Sequence, residues 1–266
     1  MDTTRVTPVQ VIGHRGAPGP QRRENTVRAV EAALARGADG VEVDVRLTGD
    51  GALVCSHDPS MRTALGDALT VVRHTLPDLR RAARRAGEPV ATLEQVLAAV
   101  RRAGPCRLVV ELKPVADALT AGRTVAAVVE ALAGAGPETE VTVSSFDWAL
   151  LDQMGARWAV ALPGRPLRTA LLGPRGVPAH VVLRHAVEEG HAEVHLGLDT
   201  LRRAPHAVRL ARHLGVGVVV WTVNGRDDLR RVAGWGVDAV ITDDVVLARE
   251  ALRVGPAPAP DGLAAC

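Results

Sequence analysis

The chain has 266 residues, 47% apolar and 23% charged, with a formal net charge of +2, which suits one large α/β domain or two small ones with a sizeable core. Its 32 basic residues are dispersed, often paired on presumed helix faces as in Arg80-Arg81 and Arg101-Arg102. With no basic stripe, no tyrosine and one phenylalanine for stacking, nucleic-acid binding is excluded as a reading.

Taken in chain order, short valine-rich runs alternate with segments of helical period. The runs are Val9–Gly13, Gly40–Val45, Leu108–Leu112, Val141–Ser145, Trp158–Leu162, Glu193–Gly197, Val216–Val223 and Ala239–Thr242. Between them lie the helical stretches Thr26–Arg36, Leu93–Arg102, Thr124–Leu132, Ala179–Glu189, Ala207–His213 and Asp227–Gly234. Such alternation predicts a parallel sheet of βα units, and eight of them in about 250 residues predict a TIM (β/α)8 barrel over residues 1–253. The rival open sheet usually carries a dinucleotide-binding glycine fingerprint after its first strand, where this chain has His14-Arg15-Gly16. One segment breaks the rhythm. Residues 51–90 hold a strand-like Ala52-Leu53-Val54-Cys55, then His57-Asp58-Pro59 and an arginine-rich helical piece, an insertion after the second strand that projects from the C-terminal face.

The ends of the chain add little. Met1-Asp2-Thr3-Thr4-Arg5 carries no apolar signal core, and no apolar run approaches the ~20 residues of a membrane span. Cys55, Cys106 and Cys266 lack the spacing of a disulfide framework or zinc site, which fits a reducing, cytoplasmic setting. Residues 254–266, rich in proline and alanine, read as a frayed tail. Oligomeric state is not legible.

Polar residues collect at strand ends. Side chains alternate along a strand, so Glu42 and Asp44 share one face, as do Glu111 and Lys113 on the next barrel strand. Three carboxylates converging there repel one another and need a cation. An all-oxygen set favours Mg²⁺ or Ca²⁺ over Zn²⁺, without choosing between the two. The plainer alternative is solvated acids, or ion pairs with Arg46 and Lys113. His14 ends the first strand and His57 the strand-like piece of the insertion, so two imidazoles reach the same mouth and are able to divide acid and base roles. Arg15 beside Gly16 is placed to grip a phosphate, or else to form a rim salt bridge. Asn25 is the expected N-cap of the first helix, with Glu24 beside it. Trp221 and Asn224 end the seventh strand, with Trp221 as a pocket wall. Among the other histidines, His195 reads as core or pocket-lining, and His74, His180, His185, His191, His206 and His213 read as surface residues.

Lys113 is the one lysine among 32 basic residues. Against a background of arginine it marks a position that needs a compact ammonium. A Schiff-base role is disfavoured, because the nearby carboxylates hold the amine protonated.

Ile12-Gly13-His14-Arg15-Gly16, Glu24-Asn25-Thr26, Gly40-Val41-Glu42-Val43-Asp44-Val45, Ser56-His57-Asp58-Pro59, Glu111-Leu112-Lys113, Trp221-Thr222-Val223-Asn224 and Ile241-Thr242-Asp243 occur in that order. As an ordered set covering nearly the whole chain they resemble the glycerophosphodiester phosphodiesterase family. The resemblance implies a TIM barrel that hydrolyses glycerophosphodiesters to sn-glycerol 3-phosphate and an alcohol with one divalent metal. It places Glu42, Asp44 and Glu111 on the metal, His14 and His57 as general acid and base, Arg15 and Lys113 on the phosphate, and Trp221 beside the glycerol. It also implies attack by the glycerol 2-hydroxyl, a cyclic phosphate, and ring opening by water. Two positions depart from the pattern: Arg23 replaces the usual proline, and Arg62-Thr63-Ala64 replaces Arg-Thr-Thr. Together with a shortage of aromatic residues, with Phe146 as one remaining candidate wall, they leave the alcohol open. Lysophospholipase D-like activity on lysophospholipids and a non-catalytic phosphate-binding barrel are the alternatives.

Overall fold

Alternating valines build the barrel wall. In Gly40–Leu47, Val41, Val43 and Val45 are fully buried against the surrounding helices, while Glu42 and Asp44 alternate with them and face the lumen. Each such valine, removed from water, contributes about 1.5–3 kcal/mol. The computed structural model describes residues 8–19, 23–62, 68–85, 89–135 and 139–253. Residues 1–7, Thr63-Ala64 and the expected tail with Cys266 lie outside the described residues.

In chain order the strands are β1 (Gln10–Gly13), β2 (Gly40–Leu47), β3 (Leu53–Cys55), β4 (Ser60–Arg62), β5 (Ala68–Thr70), β6 (Cys106–Leu112), β7 (Thr139–Ser145), β8 (Arg168–Leu172), β9 (Glu193–Gly197), β10 (Gly217–Trp221) and β11 (Ala239–Thr242). β1, β2 and β6 to β11 pair in parallel, each with the next, and β11 returns to β1. This is a closed eight-stranded TIM barrel.

The helices are α1 (Val27–Ala35), α2 (Leu76–Arg85), α3 (Leu93–Ala103), α4 (Ala118–Ala133), α5 (Trp148–Ala161), α6 (Ala179–Glu188), α7 (Leu198–Arg203), α8 (Ala207–His213), α9 (Arg226–Trp235) and α10 (Val245–Arg253). The sequence pattern did not separate out α7 or α10. α4 starts six residues before the expected Thr124, because Asp117 accepts from the Thr120 backbone N–H at 2.8 Å and caps it.

One expected strand is a helix. Trp158–Leu162 falls at the end of α5, whose buried Leu150, Leu151, Met154 and Trp158 follow helical spacing while Val160 is 79% exposed. The fifth barrel strand is instead β8, after a turn through Pro163-Gly164 and Pro166. A five-residue apolar run suits either state, and here the preceding helical period decides.

Between β2 and α3, β3 pairs antiparallel with β2, β4 and β5 form a hairpin, and α2 follows. Val54, Val71 and Leu79 make a separate small core for this segment. Inside the barrel, Ile12, Val109, Val219, Ala239 and Ile241 form an apolar plug against which Trp221 packs. Among the described residues, no helix is long and apolar enough to cross a membrane.

Candidate active site

The turn after β1 demands glycine. A Cβ on Gly16, whose φ is +80°, would stand 2.6 Å from the Ala29 backbone, so only glycine lets the chain pass this close to α1. The turn exposes His14 and Arg15 at the C-terminal mouth. Nδ1 of His14 donates to Oδ1 of Asp243 at 2.7 Å. Asp243 is itself held by Asn224, whose amide donates to Oδ2 at 2.6 Å and whose carbonyl accepts from the Asp243 backbone at 2.9 Å. The bond from His14 holds the Asp243 carboxyl below its ordinary range. An ionised carboxylate only accepts, so Nδ1 carries the shared proton and the bond fixes the orientation of the ring.

His57 reaches the mouth from the other side, on the segment after β3. Its carbonyl accepts from Arg46 Nε at 3.1 Å and Nη2 at 2.8 Å, and its ring bonds Asp58 through Nδ1 at 2.9 Å. Arg46 thus positions the His57 backbone rather than pairing directly with the carboxylate cluster.

Glu42, Asp44 and Glu111 offer carboxylate oxygens that lie within 4.8 Å of one another. Registry explains this, since Asp44 on β2 stands beside Glu111 on β6. All three are buried. Asp44 is well supplied: Lys113 Nζ lies 2.7 Å from Oδ1, Asn25 Nδ2 donates to Oδ2 at 2.7 Å, and Arg15 Nε stands 3.2 Å from Oδ2. Burial alone would raise its pKa, but Lys113, Asn25 and Arg15 outweigh it and the carboxyl is lowered.

The other two acids go the opposite way. Burial, then repulsion from Asp44 and Glu111, pushes Glu42 well above the ordinary glutamate value, although the Arg15 backbone N–H donates to its Oε2 at 2.9 Å. Its other oxygen, Oε1, is buried with no hydrogen-bond partner. Glu111 is raised by burial and Asp44, only partly offset by its contact with Lys113. For Lys113, burial favours the neutral amine, but Glu111 and Asp44 prevail and the ammonium is stabilised.

Arg15 forms the rim salt bridge the sequence allowed, with Nη1 donating to Glu24 at 2.9 Å, and it also lines the mouth. Trp221 donates from Nε1 to the His195 carbonyl at 3.1 Å, and Phe146 meets its ring edge-on with centroids 5.5 Å apart. These aromatic rings and His195, fully buried, border a mouth cavity of about 110 Å³ that His14, His57, Glu42, Glu111 and Lys113 share. A wider cleft of about 750 Å³ adjoins it, walled by the β3–β5 segment, and His57 stands on the boundary of both.

The sequence model of the glycerophosphoryl diester phosphodiesterase family matches residues 14–247. The chain belongs to that family. Over 245 residues it is 30% identical to a glycerophosphodiester phosphodiesterase of Caldanaerobacter subterraneus, covering 88% of this chain and 93% of the relative. The crystal structure of the glycerophosphodiester phosphodiesterase of Thermotoga maritima superposes with a TM-score of 0.74 at 27% identity, covering 91% and 97% of the two chains. A phosphodiesterase of Oleispira antarctica, solved with its product sn-glycerol 3-phosphate, shares the fold with a TM-score of 0.76 at 24% identity, covering 92% and 97%. Family membership makes this chain a phosphodiester hydrolase.

Two residues at this mouth stand apart from the sequence expectations. Asn25 is not the N-cap of α1; Thr26 is, accepting from Ala29 N at 3.2 Å. Asn25 instead adopts φ +57° and brackets Asp44, donating to its carboxylate and accepting from its backbone N–H at 3.0 Å. Its left-handed backbone aims the amide inward, a signal that asparagine tolerates but does not announce. Asp243 gained its role only when β11 closed on β1, which sets it beside a histidine 229 positions earlier. Away from the mouth, His191 is buried, not a surface residue, and His185 is half-buried.

Proposed function

We propose that the chain hydrolyses glycerophosphodiesters to sn-glycerol 3-phosphate and an alcohol, with Glu42, Asp44 and Glu111 holding one divalent cation of the Mg²⁺ or Ca²⁺ class. The observation that carries this is the orphaned Oε1 of Glu42 within three buried carboxylates, with which Lys113 and Arg15 form the ion pairs seen among the described residues. A hard cation fits this donor set, satisfies the orphan oxygen and relieves the repulsion that raises Glu42 and Glu111. When bound, such an ion supplies charge neutralisation at the phosphoryl oxygens.

The chain's own groups account for the rest. Lys113 and Arg15 present positive charge to the phosphate, and Trp221 with Phe146 walls the glycerol end of the small cavity. His14 and His57, on opposite sides, form the acid–base pair. In the first step one takes the proton of the glycerol 2-hydroxyl as its oxygen bonds phosphorus, and the other protonates the departing alkoxide. In the second step the proton flow reverses, water opens the cyclic phosphate, and both imidazoles return to their starting states. The wide cleft beyond His57 is the space for the alcohol.

Release of glycerol 3-phosphate from several glycerophosphodiesters, read by a coupled assay with and without EDTA, tests the reading. Expected is turnover that EDTA abolishes and Mg²⁺ or Ca²⁺ restores. Turnover that ignores EDTA removes the metal role, and a failure to release glycerol 3-phosphate from any glycerophosphodiester removes the substrate.

A further inference from the structure

At the opposite end of the barrel, α5, α6 and the turn before β9 bring Asp152, His185 and His191 together, each offering one donor atom within 4.8 Å of the others. Gly190, with φ +74°, turns the chain after α6 so that His191 folds back against the barrel. Nδ1 of His191 shares a hydrogen bond with the Thr169 hydroxyl at 2.9 Å, at the start of β8, and this fixes the ring. Its Nε2 then faces Oδ1 of Asp152 at 3.2 Å. The ring of His185 is clamped by stacking on Trp148, centroids 4.7 Å apart, and its Nε2 is buried with no hydrogen-bond partner.

We propose that these three residues form a second metal site, an Asp-His-His set for a Zn²⁺-class ion, separate from the all-oxygen cluster at the mouth. The donors differ in kind from those at the mouth. Two imidazole nitrogens and one carboxylate oxygen suit a borderline ion such as Zn²⁺ or Co²⁺, whereas Mg²⁺ and Ca²⁺ prefer oxygen. Bonds of about 2.0–2.1 Å in a tetrahedron place neighbouring donors about 3.3 Å apart, the spacing His191 and Asp152 already have. The donor of His185 lies within 4.8 Å of the other two, so a small slide of its ring across the Trp148 face would complete the set.

The surroundings support occupancy. Thr169 provides the outer hydrogen bond that commonly orients a ligating histidine. Among the described residues no lysine or arginine pairs with Asp152. Arg165, on the wall of the adjoining cleft of about 820 Å³, spends its guanidinium on the carbonyls of Leu132, Ala133 and Ala135. Glu189 lines the same cleft, so the fourth position opens to water in an acidic setting.

Co²⁺ titration of the full chain, kept in excess Mg²⁺, tests the site, because four-coordinate Co²⁺ with nitrogen ligands absorbs visible light far more strongly than six-coordinate Co²⁺ among oxygens. Expected is an intense band saturating at one equivalent and displaced by Zn²⁺. It persists in Glu42→Gln and is lost in His185→Gln and His191→Gln, while both histidine variants keep the wild-type circular dichroism and glycerol 3-phosphate release. Zn²⁺ should also raise the Tm of Glu42→Gln, and not that of the double variant Glu42→Gln/His185→Gln, since a ligand bound only by the native state stabilises it. A weak six-coordinate spectrum alone, or an intense band unchanged in folded His185→Gln, overturns the proposal. Loss of the band in Glu42→Gln does so as well, because it assigns the ion to the mouth.

Discussion

On β6, Arg107, Val109 and Glu111 alternate with wall residues and enter the lumen at three levels, so one strand links two buried charge clusters across an apolar plug. At the base, Glu193 is one acid beside two arginines: it contacts Arg107, accepts from Arg168 at 2.7 Å and bonds the buried His195 ring, which burial shifts towards the neutral form, at 3.1 Å. Burial would raise its pKa, but those partners hold it far below the ordinary carboxylate range. At the mouth the proportions are reversed, and Glu42 and Glu111 are pushed up. Both clusters are buried and each keeps an unpartnered polar atom, Arg107 Nε and His195 Nδ1 at the base and Glu42 Oε1 at the mouth, but the base meets its acid with two guanidinium groups while the mouth has an excess of negative charge. The comparison separates structure from chemistry within one fold: a balanced buried network holds the barrel together, and an unbalanced one creates a demand for a ligand.

The largest way to break that contrast is at Glu42. Glu42→Gln should lower kcat/KM roughly 10²–10³-fold, by analogy with losing one transition-state stabiliser, while the chelated protein melts no lower than wild type because a repulsion has gone. A large fall in Tm would show that the mouth is structurally balanced after all. The matching change at the base, Glu193→Gln, should cost about 3–5 kcal/mol of stability in urea unfolding, since it leaves Arg107 and Arg168 without a buried counter-charge. Hydrolysis by the folded fraction should persist.

A smaller effect is expected at the lone lysine. Lys113→Arg should lower kcat/KM by about tenfold, equivalent to about 1.4 kcal/mol, because a forked guanidinium does not fit between Glu111 and Asp44 as an ammonium does. A wild-type rate would mean that charge alone matters there.

The gentlest probe is pH, with opposite signs at the two ends. A depressed carboxyl such as Glu193 stabilises the fold above its unfolded pKa, and that contribution is lost as pH falls from about 4.3 towards its lower folded value. A raised carboxyl such as Glu42 costs nothing below its unfolded pKa, and the cost grows as pH rises through its higher folded value. Melting curves in EDTA should therefore show the gap between wild type and Glu193→Gln shrinking in acid. The advantage of Glu42→Gln over wild type should widen above about pH 5. Parallel curves would deny the difference in charge balance.

Much of this was legible in the sequence, for a physical reason. Val-Glu-Val-Asp-Val states both the strand period and the face on which its acids lie, so β2 and its carboxylates could be read without coordinates. Trp158–Leu162 could not, because a short apolar run satisfies helix and strand alike until the spacing of Leu151, Met154 and Trp158 is weighed with it. Asn25 was hidden behind a sufficient local explanation, helix capping, that its neighbour Thr26 fulfils. Asp243 and His191 depend on contacts across 229 and 39 positions, where local pattern carries no information.

The lone lysine has a practical consequence. Apart from the α-amino group, amine-directed reagents have one target in the chain, and it is 7% exposed, paired with two carboxylates and held protonated. Acylating or cross-linking reagents should leave Lys113 of the folded protein almost untouched. Whatever slow modification does occur at Lys113 then acts as a clock for opening of the mouth, read by mass on a single peptide without any engineered probe.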